Sequence, residues 1–210
     1  MKHPDLEEEP AAAVQLFGDR IELARQYTND LADRGEELGL IGPLELPRLW
    51  SRHILNCALV APLLRPGRVG DVGSGAGLPG LVLAVARPDC ELVLIEPMER
   101  RVDWLIAESS ALGLDNVTVI RARAEEAKLD AGLHQVTARA VTALKGLIPA
   151  TAPLLLHGGE MIFMKGGRVD AEVEAAHKVI RKFHLIDVEV LVLGEGIVPE
   201  VTRVFRATVD

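Results

Sequence analysis

Apolar residues follow two rhythms along this chain. Short apolar runs at residues 69–72, 92–96, 117–120, 135–138 and 160–165 are bounded by turn residues and predict five strands. Between them, apolar positions recur every three or four residues. This spacing predicts helices over 81–86, 99–112, 144–156 and 170–183, with a short helical piece at 123–126. Within 99–112, Val102, Leu105, Ile106 and Leu112 are expected to face the core. The 144–156 helix is expected to break near Pro149 or Pro153. Residues 185–193 and 201–208 read as a closing antiparallel pair.

Ahead of the first strand the rhythm is helical only. Val14, Phe17, Ile21, Ala24, Tyr27 or Thr28, and Leu31 predict one helix from 11 to about 40. Gly39, Gly42, Pro43 and Pro47 mark a loop over 39–47. A second helix is expected over 48–64, with Trp50, Ile54 and Leu55 on its apolar side. Residues 1–10 are polar and expected to fray. The organisation is therefore a helical cap over 1–66, then one strand–helix unit over 67–210. Alternating strands and helices imply an α/β fold, a parallel sheet covered on both faces. Right-handed crossovers bring the strand-end loops to one edge.

Composition narrows the function classes. The chain has 210 residues, 49% of them apolar, which suits one sizeable core. A net charge of −8 gives no overall basic field, so any nucleic-acid contact must rest on local patches. Cys57 and Cys90 have neither metal spacing nor a disulfide framework. They are expected to be buried free thiols in a reducing cytoplasm. No histidine spacing suggests a metal site. The acidic start is unlike a signal peptide, and no apolar run has the length of a membrane span.

The chemistry concentrates in Asp71-Val-Gly-Ser-Gly-Ala-Gly-Leu-Pro-Gly80, which follows the first strand and opens a helix. Glycines there let a ligand approach main-chain N–H groups at a helix start. The dinucleotide pattern G-x-G-x-x-G fails when counted from Gly73, because its third glycine falls on Leu78. Counted from Gly75 it fits only if the strand runs through Gly73 and Ser74, which is poor strand sequence. The better description is Asp71 followed by Gly73, Gly75 and Gly77. An acid before the glycines would repel a pyrophosphate and suits a cofactor with a cationic amino-acid end, such as S-adenosylmethionine. Glu96 ends the second strand and can accept both ribose hydroxyls of a nucleoside, as S-adenosylmethionine and NAD alike require. On this reading Asp71, Gly73, Ser74, Gly75, Gly77 and Glu96 contact the cofactor.

Five segments then carry a family pattern: Arg52-His-Ile-Leu-Asn56, the glycine run, Arg121-Ala-Arg-Ala-Glu-Glu126, Ala138-Arg-Ala140 and Met164-Lys-Gly166. In this order, over about residues 20–170, the chain resembles the bacterial 16S rRNA (guanine-N7) methyltransferases, the RsmG or GidB family. The resemblance implies a class I S-adenosylmethionine-dependent methyltransferase fold, Rossmann-like, with a mostly parallel seven-stranded sheet and an antiparallel last strand. It implies methyl transfer to N7 of a guanosine in the decoding-region loop of 16S rRNA. Carried over, its cofactor contacts fall on Gly73, Leu78, Ala124, Glu125 and Arg139. Leu78 replaces a usual Phe, Asn56 a usual acid, and Glu96 a usual Asp.

Guanine N7 has a lone pair and no proton, so the reaction needs alignment and no general base. Arg139 is the expected catalytic residue, positioning cofactor or substrate. Arg52, His53, Arg123 and Lys165 are the expected RNA contacts, with His53 facing the glycine loop. Only 3% of residues are aromatic, leaving few such as Trp50 to stack on a base. The expected partner is 16S rRNA or the small ribosomal subunit, bound by a monomer. A small-molecule methyltransferase with an apolar lid, or a non-catalytic cofactor sensor, would share the same loop.

Overall fold

The computed structural model describes residues 3–210; Met1 and Lys2 lie outside the described residues. Seven strands form one sheet: β1 (Gly67–Val72), β2 (Cys90–Ile95), β3 (Val117–Ile120), β4 (Leu133–Arg139), β5 (Leu155–Lys165), β6 (Leu185–Leu193) and β7 (Thr202–Val209). Their order is β3-β2-β1-β4-β5-β7-β6. The first five run parallel, while β7 lies antiparallel between β5 and β6. The chain winds outward from β1 to β3, then returns to place β4 on the other side of β1. That reversal opens a crevice at the carboxyl ends of β1 and β4, where open α/β sheets bind ligands.

Among the described residues, six α-helices of six or more residues pack with the sheet: α1 (Ala12–Phe17), α2 (Ile21–Arg34), α3 (Gly80–Ala86), α4 (Glu99–Ala111), α5 (Leu144–Thr151) and α6 (Val169–Lys182). Side chains alternate along β2, so Leu92 and Leu94 join one apolar layer while Val93 and Ile95 join the other. The first layer holds the cap, α3 and α4 around Tyr27, Leu81 and Trp104. The second holds α5 and α6 around Leu147, Phe163 and Phe205. The amino-terminal segment thus shares its core with the sheet.

The cap departs most from its expected form. Helix 11–40 is interrupted at Gly18, where φ is +52°, by a 3₁₀ turn over Gly18–Arg20, and α2 ends at Arg34. Val14 is consequently exposed. The second cap helix is mostly not α-helical. A 3₁₀ turn (Leu46–Arg48) leads into a π-helix (Leu49–Leu55), then a short α turn (Asn56–Ala58) and a 3₁₀ turn (Ala61–Leu63). Buried pairs Leu49/Trp50 and Ile54/Leu55 repeat at a five-residue interval, which i→i+5 winding keeps on one face. Ser51, Arg52 and His53 are left outside it. Residues 5–10 are docked and not frayed. Leu6 is buried, Glu7 N–H donates to Leu46 O at 3.0 Å, and Glu9 pairs with Arg25 at 2.6 Å.

Smaller differences follow from neighbouring structure. Ile106 is exposed, and Trp104 and Glu108 occupy the buried stripe of α4 instead. Burial and the adjacent Asp30 push the Glu108 carboxyl up to about 8, so it packs as a neutral acid. Pro149 sits within α5; the helix ends before the 3₁₀ turn Ala152–Leu154, and residues 155–156 belong to β5. Both cysteines are buried free thiols. No helix among the described residues is long and apolar enough to cross a membrane.

Candidate active site

The glycine loop leaves β1 through three left-handed residues: Gly73 (φ +72°), Gly75 (+56°) and Gly77 (+98°). It is held from several sides. Gly73 N–H donates to Ile95 O at 2.8 Å, and Gly77 N–H to Ser74 O at 2.7 Å. The Ala76 carbonyl accepts two hydrogen bonds, from Tyr27 Oη at 2.9 Å and Trp104 Nε1 at 2.8 Å. Helices α2 and α4 therefore grip the same point of the loop. Glu96, 2% exposed, closes the other side: Oε2 accepts Gly75 N–H and Oε1 accepts Met98 N–H, each at 2.9 Å.

Two cavities open at this end of the sheet. The smaller, about 360 Å³, is lined by Gly73, Glu96, Met98, Arg101, Ala124, Glu125 and Leu147 among others. The larger, about 900 Å³, is lined by Arg52, Asn56, Arg139, Lys165, Glu200, Thr202 and Arg203 among others. Residues 140–142 form a wall common to both. Ala140 in that wall has φ +55°, which costs a non-glycine residue of the order of 1 kcal/mol. The side chain of Val141 covers Gly73, so a Cβ there would lie 2.7 Å from Val141 Cγ2.

Arg139 stands at the floor of the larger cavity. Nη2 lies 2.7 Å from His53 Nδ1, and His53 Nε2 lies 2.6 Å from Glu45. An arginine can only donate, so Nδ1 accepts and the imidazole is neutral, giving its Nε2 proton to Glu45. Burial, and then the Arg139 charge, hold the His53 pKa below the ordinary histidine range. Burial raises the Glu45 carboxyl, but His53 and Arg48 outweigh this and hold it below its usual value. Arg139 also touches Cys57 Sγ and Arg52 O, both at 3.4 Å. These three partners are neutral, so they leave the guanidinium charge uncancelled.

A family model for rRNA small subunit methyltransferase G matches residues 20–200. The chain belongs to this family. It is 67% identical over 204 residues to the ribosomal RNA small subunit methyltransferase G of Leifsonia xyli subsp. xyli, covering 97% of this chain and 98% of that protein. Against the protein of the same name from Clavibacter sepedonicus the identity is 62%, with 99% of each covered. The Corynebacterium glutamicum protein is 48% identical over 92% of this chain and 88% of its own length. Among solved structures, TYW2 of M. jannaschii in complex with AdoMet aligns with a TM-score of 0.60 at 21% identity, covering 76% of each chain. A SAM-dependent O-methyltransferase from Thermotoga maritima aligns at 0.56 and 19%, over 73% of this chain and 64% of its own. These structural neighbours establish the class I S-adenosylmethionine-dependent methyltransferase fold.

The smaller cleft fits the family's cofactor. Glu96 uses two of its lone pairs on main-chain N–H groups and has others for ribose hydroxyls. Ile95, Met98 and Leu147 offer apolar surface for a purine. Arg101 Nε, also at this cleft, is buried without a partner. Of the expected cofactor residues, the cleft brings together Gly73, Glu96, Ala124 and Glu125. Asp71 is not among them. It is fully buried beneath the loop, where Oδ2 accepts Gly80 N–H at 3.0 Å and Oδ1 accepts the Thr137 hydroxyl at 3.2 Å. Ser74 is likewise turned inward, its hydroxyl donating to Asp71 O at 2.8 Å. Gly75, Gly77 and Leu78 do not line the cleft, and Leu78 packs against the cap-side core. Arg139 lines the larger cavity instead.

The expected RNA residues divide as well. Arg52 lines the larger cavity, with side chain 41% exposed and paired to Glu200 at 3.3 Å. His53 faces Arg139, and not the glycine loop. Arg123 is exposed at the smaller cleft. Lys165 is 9% exposed, 2.7 Å from Glu172 and 2.9 Å from Thr142 O, so it braces the shared wall. Trp50 is buried and offers no face to a base. Glu45 and Glu172 were not expected; each bonds a partner within eight residues that belongs to a different element, His53 and Lys165 respectively. No group of three or more His, Cys, Asp or Glu side chains among the described residues is placed to hold a metal ion.

Proposed function

We propose that this chain transfers the methyl group of S-adenosylmethionine to N7 of a guanosine in the decoding-region loop of 16S rRNA, acting as a monomer in the cytoplasm. The carrying observation is a cofactor-sized cleft and a wider cation-lined cavity meeting across one wall, in a chain of this family. Bound in the cleft, the cofactor supplies an electrophilic methyl group on a positive sulfur. Glu96 accepts from its ribose, and the main chain at Gly73, Ala124 and Glu125 encloses it. N7 brings its own lone pair, so the residues around it have no proton to remove and need only align it. The product base is cationic, and a guanidinium beside N7 would oppose it. Arg139 therefore holds a phosphate oxygen of the target nucleotide, kept in place by neutral His53.

N7 of a paired guanine lies in the deep, narrow groove of A-form RNA, so the target is taken unpaired. Arg52, Arg123 and Arg203 supply phosphate contacts at the rim. A basic rim disfavours the small-molecule reading, which calls for an apolar lid. The test is to map N7-methylguanosine in 16S rRNA from cells with and without the gene, and to titrate S-adenosylmethionine calorimetrically. Loss of one modified guanosine in the gene-deleted cells, and weaker cofactor binding by Glu96→Ala and Gly73→Ala, are expected. Unaltered rRNA, or no heat with the cofactor, would overturn the assignment.

A further inference from the structure

Two polar side chains at the larger cavity have no hydrogen-bond partner although both are buried. Asn56 is 8% exposed and its Oδ1 is unpaired; Thr202 is 5% exposed and its Oγ1 is unpaired. Both line the cavity that holds Arg139. They arrive from unrelated elements: Asn56 directly follows the π-helix, and Thr202 opens β7 opposite Leu193. Buried polar atoms are almost always paired in folded proteins, and leaving one unpaired is costly. Two such atoms at one cavity point to a ligand with polar edges.

We propose that Asn56 and Thr202 read the Watson–Crick edge of the target guanine, an inference that rests on the activity proposed above. That edge presents one acceptor, O6, beside two donors, N1–H and the N2 amino group. A carboxamide carries a donor and an acceptor side by side, so Asn56 pairs with O6 and N1–H. The Thr202 hydroxyl accepts from the N2 amino group. After a flip the amide alone would suit adenine as well. The hydroxyl makes the choice, because adenine has no amino group at C2. Holding this edge leaves N7, on the other side of the ring, free for the methyl group. An asparagine suits the task in another respect: it adds no charge to a cavity already carrying Arg139 and Arg52.

The test pairs enzyme variants with a substrate lacking one group. Small subunits are reconstituted with 16S rRNA carrying guanosine or inosine at the methylated position; inosine lacks only the N2 amino group. Wild-type enzyme is expected to favour guanosine about tenfold in kcat/KM, as one hydrogen bond warrants. Thr202→Val is expected to lose the preference while acting on inosine as the wild type does, and Thr202→Ser to keep it. Asn56→Leu is expected to lose about tenfold on both substrates with cofactor affinity unchanged. A guanosine-to-inosine ratio equal in wild type and Thr202→Val overturns the inference alone, as does full activity in Asn56→Leu. A wild-type enzyme that methylates neither substrate overturns the proposed activity together with it.

Discussion

The two cavities on either side of residues 140–142 are built by different means. The smaller cleft rests on main chain and on buried side chains that bond main chain: Asp71 to Gly80, Glu96 to Gly75 and Met98, Tyr27 and Trp104 to Ala76. The larger cavity rests on side chains holding other side chains: Glu45 to His53 to Arg139, Lys165 to Glu172, Arg52 to Glu200. Contacts of the first kind are rigid and indifferent to salt. Exposed members of the second kind are screened and individually weak. The smaller cleft is thus preorganised, while the larger cavity can be retuned by pH and ionic strength.

The sharpest way to break this contrast is Asp71→Ala. It would leave the Gly80 N–H unpaired in the core, while the Thr137 hydroxyl keeps only the Gly70 carbonyl. A loss of about 1–3 kcal/mol in unfolding free energy is expected, read by denaturant titration; a smaller loss than in any surface variant would place the loop's support elsewhere. Next is Arg139→Ala, expected to lower turnover about a hundredfold through misplaced substrate while calorimetry finds cofactor affinity little changed. A matching loss of cofactor affinity would merge the two compartments into one.

Glu45→Gln sharpens the comparison through pH. His53 accepts from Arg139 only while neutral, so activity is expected to fall as acidification protonates it. That fall lies below the ordinary histidine range, because burial and Arg139 depress its pKa. Glu45 opposes the depression, so its removal is expected to move the acid limb lower still. Turnover on the plateau should drop about tenfold, because the glutamine keeps one acceptor oxygen for two donors, His53 and Arg48. A pH profile identical to wild type would reduce Glu45 to surface decoration. The smallest effect is expected for Lys165→Ala. Its charge is already matched by Glu172, so KM for RNA should rise only about threefold. A large loss of affinity that shallows with added salt would restore it as a phosphate ligand.

How much was legible divides along the same wall. The glycine run and Glu96 are contiguous signals, and they sit at the carboxyl ends of β1 and β2 as expected, although of the run's glycines only Gly73 lines the cleft. The orientation of Asp71 was hidden: β1 is covered on both faces, so its pattern gives no inward or outward parity. Burial then pushes its carboxyl up to about 6, a mark of a group facing protein and not solvent. The pairs Glu45–His53–Arg139 and Lys165–Glu172 join residues with no periodic relation. Glu45 lies in an expected loop, and Arg139 and Lys165 at expected strand ends, where the pattern does not say which charge each will meet. The cap failed for a different reason. A five-residue interval was read against a 3.6-residue template, which put Trp50 within reach of a base when the π-helix buries it.

Residues 140–142 are a party wall, so a shift of this segment would be felt on both of its sides. If one occupant displaces the Val141 side chain from above Gly73, the work is already done for the second. By reciprocity, any factor by which the methyl donor tightens the grip on the rRNA, the rRNA must return to the grip on the donor.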